Sequence, residues 1–177
     1  MTSRNVRRGR LLATTVEGVE ATCLTTVGLS NGERVGARRP ARALVGTINT
    51  LVHLSRPLTD GALVEAISIA AEARTAAIIE SRRPQDEPAI TGTGTDCIVV
   101  AAPCAREPEP WAGLHTAVGE AIGRAVYDAT REGAKEWDAE NAGALANAGR
   151  SVVASRLRLA SAPARRASFR PSLWRPS

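Results

Sequence analysis

The chain predicts an α/β fold, a single domain in which a mixed sheet packs with two main helices in the order β-β-β-α-β-α. Three observations carry that expectation. Two runs rich in β-branched residues, 10–16 and 19–27, flank the turn pair Glu17-Gly18, a short hairpin signal. An Ala-rich segment with helical spacing follows from Asp60 to Ser81. A short apolar run at 97–102 then separates it from a second amphipathic segment at 114–131.

Each element has its own local reason. In the second strand Thr22, Leu24 and Thr26 alternate with Cys23, Thr25 and Val27, as in a half-buried strand. Residues 29–36, centred on Ser30-Asn31-Gly32, read as a turn or exposed loop, and the Arg-rich stretch 38–42 as surface. Residues 44–54 read as the third strand, with Gly46 as a bulge or a point of close approach. Thr59 or Asp60 caps the first helix, whose apolar stripe is read as Leu63, Ile67, Ala70, Ala71, Ala77 and Ile78. Residues 82–88 read as a loop, 90–96 as a Gly/Thr turn, and 97–102 as a short buried strand with an inert Cys97. In the second helix Val118, Ala121, Ile122, Ala125 and Val126 form the apolar face. Residues 1–9 read as a disordered basic lead, 10–133 as the domain, 134–158 as a weak helical extension, and the tail beyond as disordered.

Charge distribution argues against nucleic acid despite a sequence pI near 10.0. Residues 1–10 hold four arginines and residues 141–177 hold seven, with no acid in either segment. The body between them carries 12 basic against 18 acidic residues, a net charge of −6. A phosphate-binding face needs its cations clustered on the folded surface. The three cysteines, Cys23, Cys97 and Cys104, show no metal-type pairing and suit a reducing cytoplasm. Arg7-Arg8 resembles a twin-arginine signal, but Glu17 interrupts the apolar stretch after it. The best candidate for a membrane span is broken by Glu65, Glu72 and Arg74, so neither a membrane nor a metal site is expected.

Two segments hold most of the chemistry-bearing residues. In Thr91-Gly92-Thr93-Gly94-Thr95-Asp96, two glycines let backbone N–H groups converge on an anion or oxyanion, and three threonines add hydroxyls. Asp96 there can orient a histidine, bind a cation, act as a base, or simply cap its own turn. In Gly113-Leu114-His115-Thr116-Ala117-Val118-Gly119-Glu120, a histidine stands at a helix mouth. The positive end of the helix dipole favours its neutral form there, suited to a general base. Glu120 is a further candidate, although its i,i+4 pairing with Arg124 accounts for it equally well. Thr47 and Asn49 share a strand face with Val45 and Leu51, and a hydroxyl beside an amide suits recognition of amide-bearing ligands. His53 falls on that same face at the strand end.

Taken together, the segments resemble the adenosylcobinamide amidohydrolase family. Those that carry the likeness are Thr25-Thr26-Val27-Gly28-Leu29-Ser30-Asn31, Gly46-Thr47-Ile48-Asn49, Leu58-Thr59-Asp60, Glu72-Ala73-Arg74-Thr75, residues 91–96 and residues 114–120, jointly covering about 15–132. The resemblance implies hydrolysis of the amide joining the aminopropanol arm to the corrin ring of adenosylcobinamide. The product is adenosylcobyric acid, used in coenzyme B12 salvage, and the cobalt corrinoid is substrate, with no other cofactor evident. Three departures stand out: Arg74 replaces the family's usual Lys, nothing here matches the Ser/Gly-rich N-terminal region of other members, and the Arg-rich tail does not resemble family sequence.

On this reading His115, Asp96 and Thr95 are the catalytic candidates, with Asp96 orienting His115 to activate water or, as the alternative, the Thr95 hydroxyl, and the N–H groups of 92–95 holding the oxyanion. Thr47, Asn49, Glu72, Thr93, Gly94 and Glu120 are the substrate-binding candidates. A non-catalytic corrinoid-binding or interaction module is the alternative. An anion-binding protein unrelated to corrinoids is a third.

Overall fold

The computed structural model describes residues 4–37, 40, 45–81 and 89–160, with side chains through Gly143. The chain divides into two compact units, 1–140 and 141–177. The first is the α/β unit; the described part of the second, 141–160, is helical.

The two hairpin strands lie where alternation places them, β1 at Arg10–Val16 and β2 at Val19–Val27. Glu17 and Gly18 both have positive φ, 48° and 78°, and close a two-residue turn between the paired Val16 and Val19. β3 (Gly32–Glu33) follows, then β4 (Ile48–Leu54) and α1 (Asp60–Ser81). β5 (Gly92–Thr93) and β6 (Cys97–Ala101) lead to α2 (Ala117–Ala160).

The main sheet has the order β1-β2-β4-β6. The first two pairings are antiparallel and β4 runs parallel to β6, so β4-α1-β6 is a crossover with its helix on one face. That face holds the core. Ala21 and Cys23 from β2, Val52 and Leu54 from β4, Ala62, Ala66 and Ala70 from α1, and Ala121, Ile122, Ala125 and Val126 from α2 are all fully buried in one cluster. Among the described residues nothing packs over the opposite face, where Leu11, Leu24, Leu51 and Val99 are exposed.

Several expectations change. Residues 29–36 and 90–96 are not only turns, because β3 and β5 pair antiparallel, Gly32 with Thr93 and Glu33 with Gly92. The third strand starts at Ile48, and Leu44 lies outside the described residues. The buried stripe of α1 is Ala62, Ala66, Ile69, Ala70, Ala77 and Ile78, while Ile67 is exposed. Alanine at so many positions leaves the helical phase ambiguous, and the sheet selects the row of small residues that allows close approach. β6 is an edge strand with an open face rather than a buried strand, so Cys97 is exposed and Cys23 is the buried thiol.

The basic lead is ordered from Arg4 onward. Asn5 caps a single 3-10 turn, Val6–Arg8, and Arg4, Arg8 and Arg10 reach Glu136 and Glu140 on α2. Residues 1–3, most of the 38–42 stretch, the 82–88 loop and the tail beyond 160 lie outside the described residues.

Candidate functional site

Four segments that are distant in sequence meet at the N-terminal ends of β4 and β6. They are the turn after β2 (28–33), the start of β4 (46–49), Arg74 in the C-terminal half of α1, and the 91–96 turn. Asp96 ties three of them together. Its Oδ1 accepts from Ile48 N–H (3.0 Å) and from the Thr93 hydroxyl. Its Oδ2 accepts from Thr93 N–H (2.9 Å) and from Arg74 Nη1 (2.7 Å). The carboxylate is nearly buried, and each oxygen has two donors, which is how a charged group is held away from water. Gly92 sits against this carboxylate, and a Cβ there would collide with Asp96 Oδ2.

The fourth segment joins through packing. A Cβ on Gly46 would stand 2.7 Å from Gly28 O and 2.8 Å from Asn31 Oδ1, so the two loops approach backbone to backbone. Asn31 Oδ1 and Arg74 Nε are buried with no hydrogen-bond partner among the described residues. Thr95 Oγ1 donates to Gly46 O (3.2 Å) and lies 2.7 Å from Thr47 Oγ1, forming a pair of hydroxyls on the rim of the open sheet face. Thr95 and Gly94 are exposed, Thr93 is half-buried and Thr47 is buried. Asn49 Nδ2 donates to Thr26 Oγ1 (3.3 Å) on the neighbouring strand.

The predicted candidates therefore separate into groups. Asp96, Thr95, Thr93, Gly94, Thr47 and Asn49 come together. Arg74, a departure from the family pattern that is not among the site candidates, is the ion-pair partner of Asp96. Glu72, two residues away on α1, is exposed, and Glu120 is exposed and paired with Arg124 (2.6 Å).

His115 belongs elsewhere. Its loop is fastened to the start of α1, where Ala112 N–H donates to Glu65 Oε2 (2.8 Å) and Glu109 bonds the backbone at Pro57 and Thr59. Glu65 and Arg74 are nine residues apart on α1, about 13 Å of helix rise. His115 is exposed, and among the described residues it makes no hydrogen bond to Asp96. The expected orientation of His115 by Asp96 is not formed, because Asp96 is already fully engaged. The helix mouth itself is capped by Thr116, whose Oγ1 accepts from Gly119 N–H (2.9 Å).

The geometry also narrows the oxyanion expectation. Thr93 N–H is committed to Asp96, which leaves Gly94 and Thr95 as the exposed part of the turn. Among the described residues no group of three or more His, Cys, Asp or Glu is placed to hold a metal ion, and no helix is long and apolar enough to cross a membrane. Burial pushes the Cys23 thiol up to about 12.

Comparison with known proteins bears on the same segments. The family model described as adenosylcobinamide amidohydrolase matches residues 1–142. A protein of that name from Halobacterium salinarum is 33% identical over 121 residues, covering 64% of this chain and 50% of the relative. An uncharacterized protein from Methanocaldococcus jannaschii is 40% identical over 85 residues, covering 46% of this chain and 33% of the relative. The matches thus span half the length of the first relative and a third of the second. No solved structure matches the chain. The family match covers most of the chain, including all the segments that build the Asp96 cluster, and the chain belongs to the adenosylcobinamide amidohydrolase family.

Proposed function

We propose that this chain hydrolyses the amide between the aminopropanol arm and the corrin ring of adenosylcobinamide. Water adds its oxygen to the carbonyl carbon and the C–N bond breaks. The products are adenosylcobyric acid, which re-enters coenzyme B12 assembly in the cytoplasm, and free aminopropanol. The observation that carries this reading is the convergence of family segments from four parts of the chain on Asp96 and the Thr47–Thr95 hydroxyl pair.

In this reading Asp96 and Arg74 are positioning residues that hold the 91–96 turn against β4. Thr95, with Gly94 beside it, faces the scissile carbonyl, and Thr47, Asn49 and Thr93 contact amide groups of the substrate. His115, the expected base, is exposed at the other end of α1, farther from a carbonyl held at Thr95 than the hydrogen-bond reach a general base needs, so it activates the attacking water only for an amide bound beside its own loop. The His115→Ala variant decides which of the two ends of α1 holds the scissile amide. Glu72 and Glu120 are left as peripheral contacts.

The test is incubation of purified protein with adenosylcobinamide, with mass detection of adenosylcobyric acid and aminopropanol. Product formation that falls about 10²–10⁴-fold in His115→Ala supports the base assignment. Wild-type turnover in that variant removes His115 from the mechanism. A second reading, corrinoid binding without turnover, is favoured by the separation of His115 from the Asp96 cluster along α1. Retained binding with no product from the folded wild-type chain decides for it.

A further inference from the structure

The face of the main sheet turned away from the helices carries a feature that the hydrolysis site does not use. Register places Leu11 opposite Leu24, Leu24 opposite Leu51, and Leu51 opposite Val99. These four residues form one row across all four strands, and they are 65%, 42%, 42% and 48% exposed. Single exposed apolar side chains are ordinary, but a contiguous row marks a binding surface.

We propose that this open face is the platform on which the flat macrocycle of the corrinoid lies, an inference that rests on the proposed function. Three strand spacings make the row about 14 Å long, with the next rows about 7 Å to either side. Taken half-way to those rows, the apolar strip covers about 14 by 7 Å, roughly 100 Å². A strip of that size matches one face of a single planar ring system, and a second copy of the chain is the competing occupant that the sedimentation arm of the test resolves.

Its borders fit a macrocycle fringed with carboxamides. On one side the row is flanked by Thr26, Asn49 and Cys97, and on the other by Ala13, Thr22, His53 and Ala101, each set paired across the strands. An apolar strip edged by hydroxyl, amide and imidazole groups matches an apolar ring face with a hydrogen-bonding rim. The platform is also continuous with the candidate site. Asn49 is two residues along from Thr47, whose hydroxyl meets Thr95. A ring seated on Leu24 and Leu51 therefore brings one peripheral amide arm to the Thr47–Thr95 pair.

The experiment compares the full-length wild type with the double variant Leu24→Ser/Leu51→Ser. A Leu24→Met/Leu51→Met variant keeps the apolar area, and Val64→Ser on the exposed side of α1 is the control. KM and kcat for adenosylcobinamide are measured with cobinamide binding by equilibrium dialysis, thermal stability and sedimentation. The serine variant is expected to raise KM and Kd at least tenfold with kcat nearly unchanged and a cooperative, somewhat lowered melt, the methionine variant to show a much smaller rise, and Val64→Ser to behave as wild type. Wild-type KM and Kd in the serine variant overturn the platform while leaving the hydrolase reading intact. A wild-type dimer that becomes monomeric in the serine variant overturns it in favour of a second copy. A folded wild-type chain that binds no corrinoid overturns both readings.

Discussion

Arg74 Nη1 stands 2.7 Å from Asp96 Oδ2, and both side chains are nearly buried. This ion pair fastens α1 to the turn that precedes β6. Removing one member leaves the other as a buried, uncompensated charge, which is the costly way to break such a pair. Arg74→Ala should therefore destabilise the chain by about 3 kcal/mol. Arg74→Lys restores a point charge without the planar fork, and its cost should be nearer 1 kcal/mol. Urea unfolding of the three proteins checks the order. An Arg74→Ala chain as stable as wild type would show that the pair contributes nothing to holding the turn.

The helix mouth separates stability from chemistry within two adjacent residues. Thr116 caps α2 through Gly119 N–H, so Thr116→Ala should cost about 1 kcal/mol. His115 is exposed and takes no part in that cap, so His115→Ala should leave the melting temperature where it is. Thermal melts of the two variants test this division, and a large stability loss in His115→Ala would give the histidine a structural role instead.

Legibility in the sequence follows the range of the interactions. The hairpin strands and the extent of α1 are readable because alternation, a two-residue turn and a polar cap are local signals, whereas the face that α1 buries is not, because its many alanines leave the helical phase open. The β3–β5 ladder joins residues some sixty positions apart through only two residues on each side, and no periodicity announces it. The cluster around Asp96 was half readable. Thr47, Asn49, Thr93, Gly94 and Thr95 stood out as polar groups on turns and strand ends, and they do come together. Arg74 did not, because on an exposed helix an arginine reads as a solvated charge, and only the crossover brings it to Asp96. The same topology carries His115 to the other end of α1, which its short sequence distance from Asp96 conceals. Cys97 was misplaced because an apolar run of five resembles a buried strand until the edge of the sheet is known.

The three thiols should react in two classes. Cys23 lies fully buried between the sheet and the helices, and burial pushes its thiol up to about 12. At pH 8 it is protonated as well as covered, so it should react only on unfolding. Cys97 and Cys104 are exposed. An aromatic disulfide reagent should titrate two thiols rapidly in the native protein and a third only in denaturant. Three rapid thiols would show that the core around Cys23 opens without global unfolding.

The arginines of the lead give an acid dependence whose sign follows from Glu140. Its hydrogen bond to Arg4, with the positive charges of Arg4, Arg8 and Arg10 nearby, lowers its carboxyl below the ordinary value of 4.5. A carboxyl lowered in the folded state stabilises that state fully above 4.5, and the contribution disappears as pH falls through the folded value. Glu140→Gln removes the charge at every pH. Wild type should therefore melt above the variant at pH 7, and the two curves should converge as pH drops below 4.5. Raising the salt concentration at pH 7 should shrink the part of the gap that comes from Arg8 and Arg10, which are solvent-facing and screened, and leave more of the part from Arg4, which is nearly buried. A gap that is equal at pH 7 and pH 3 would mean that Arg4 and its neighbours do not act on Glu140 through charge.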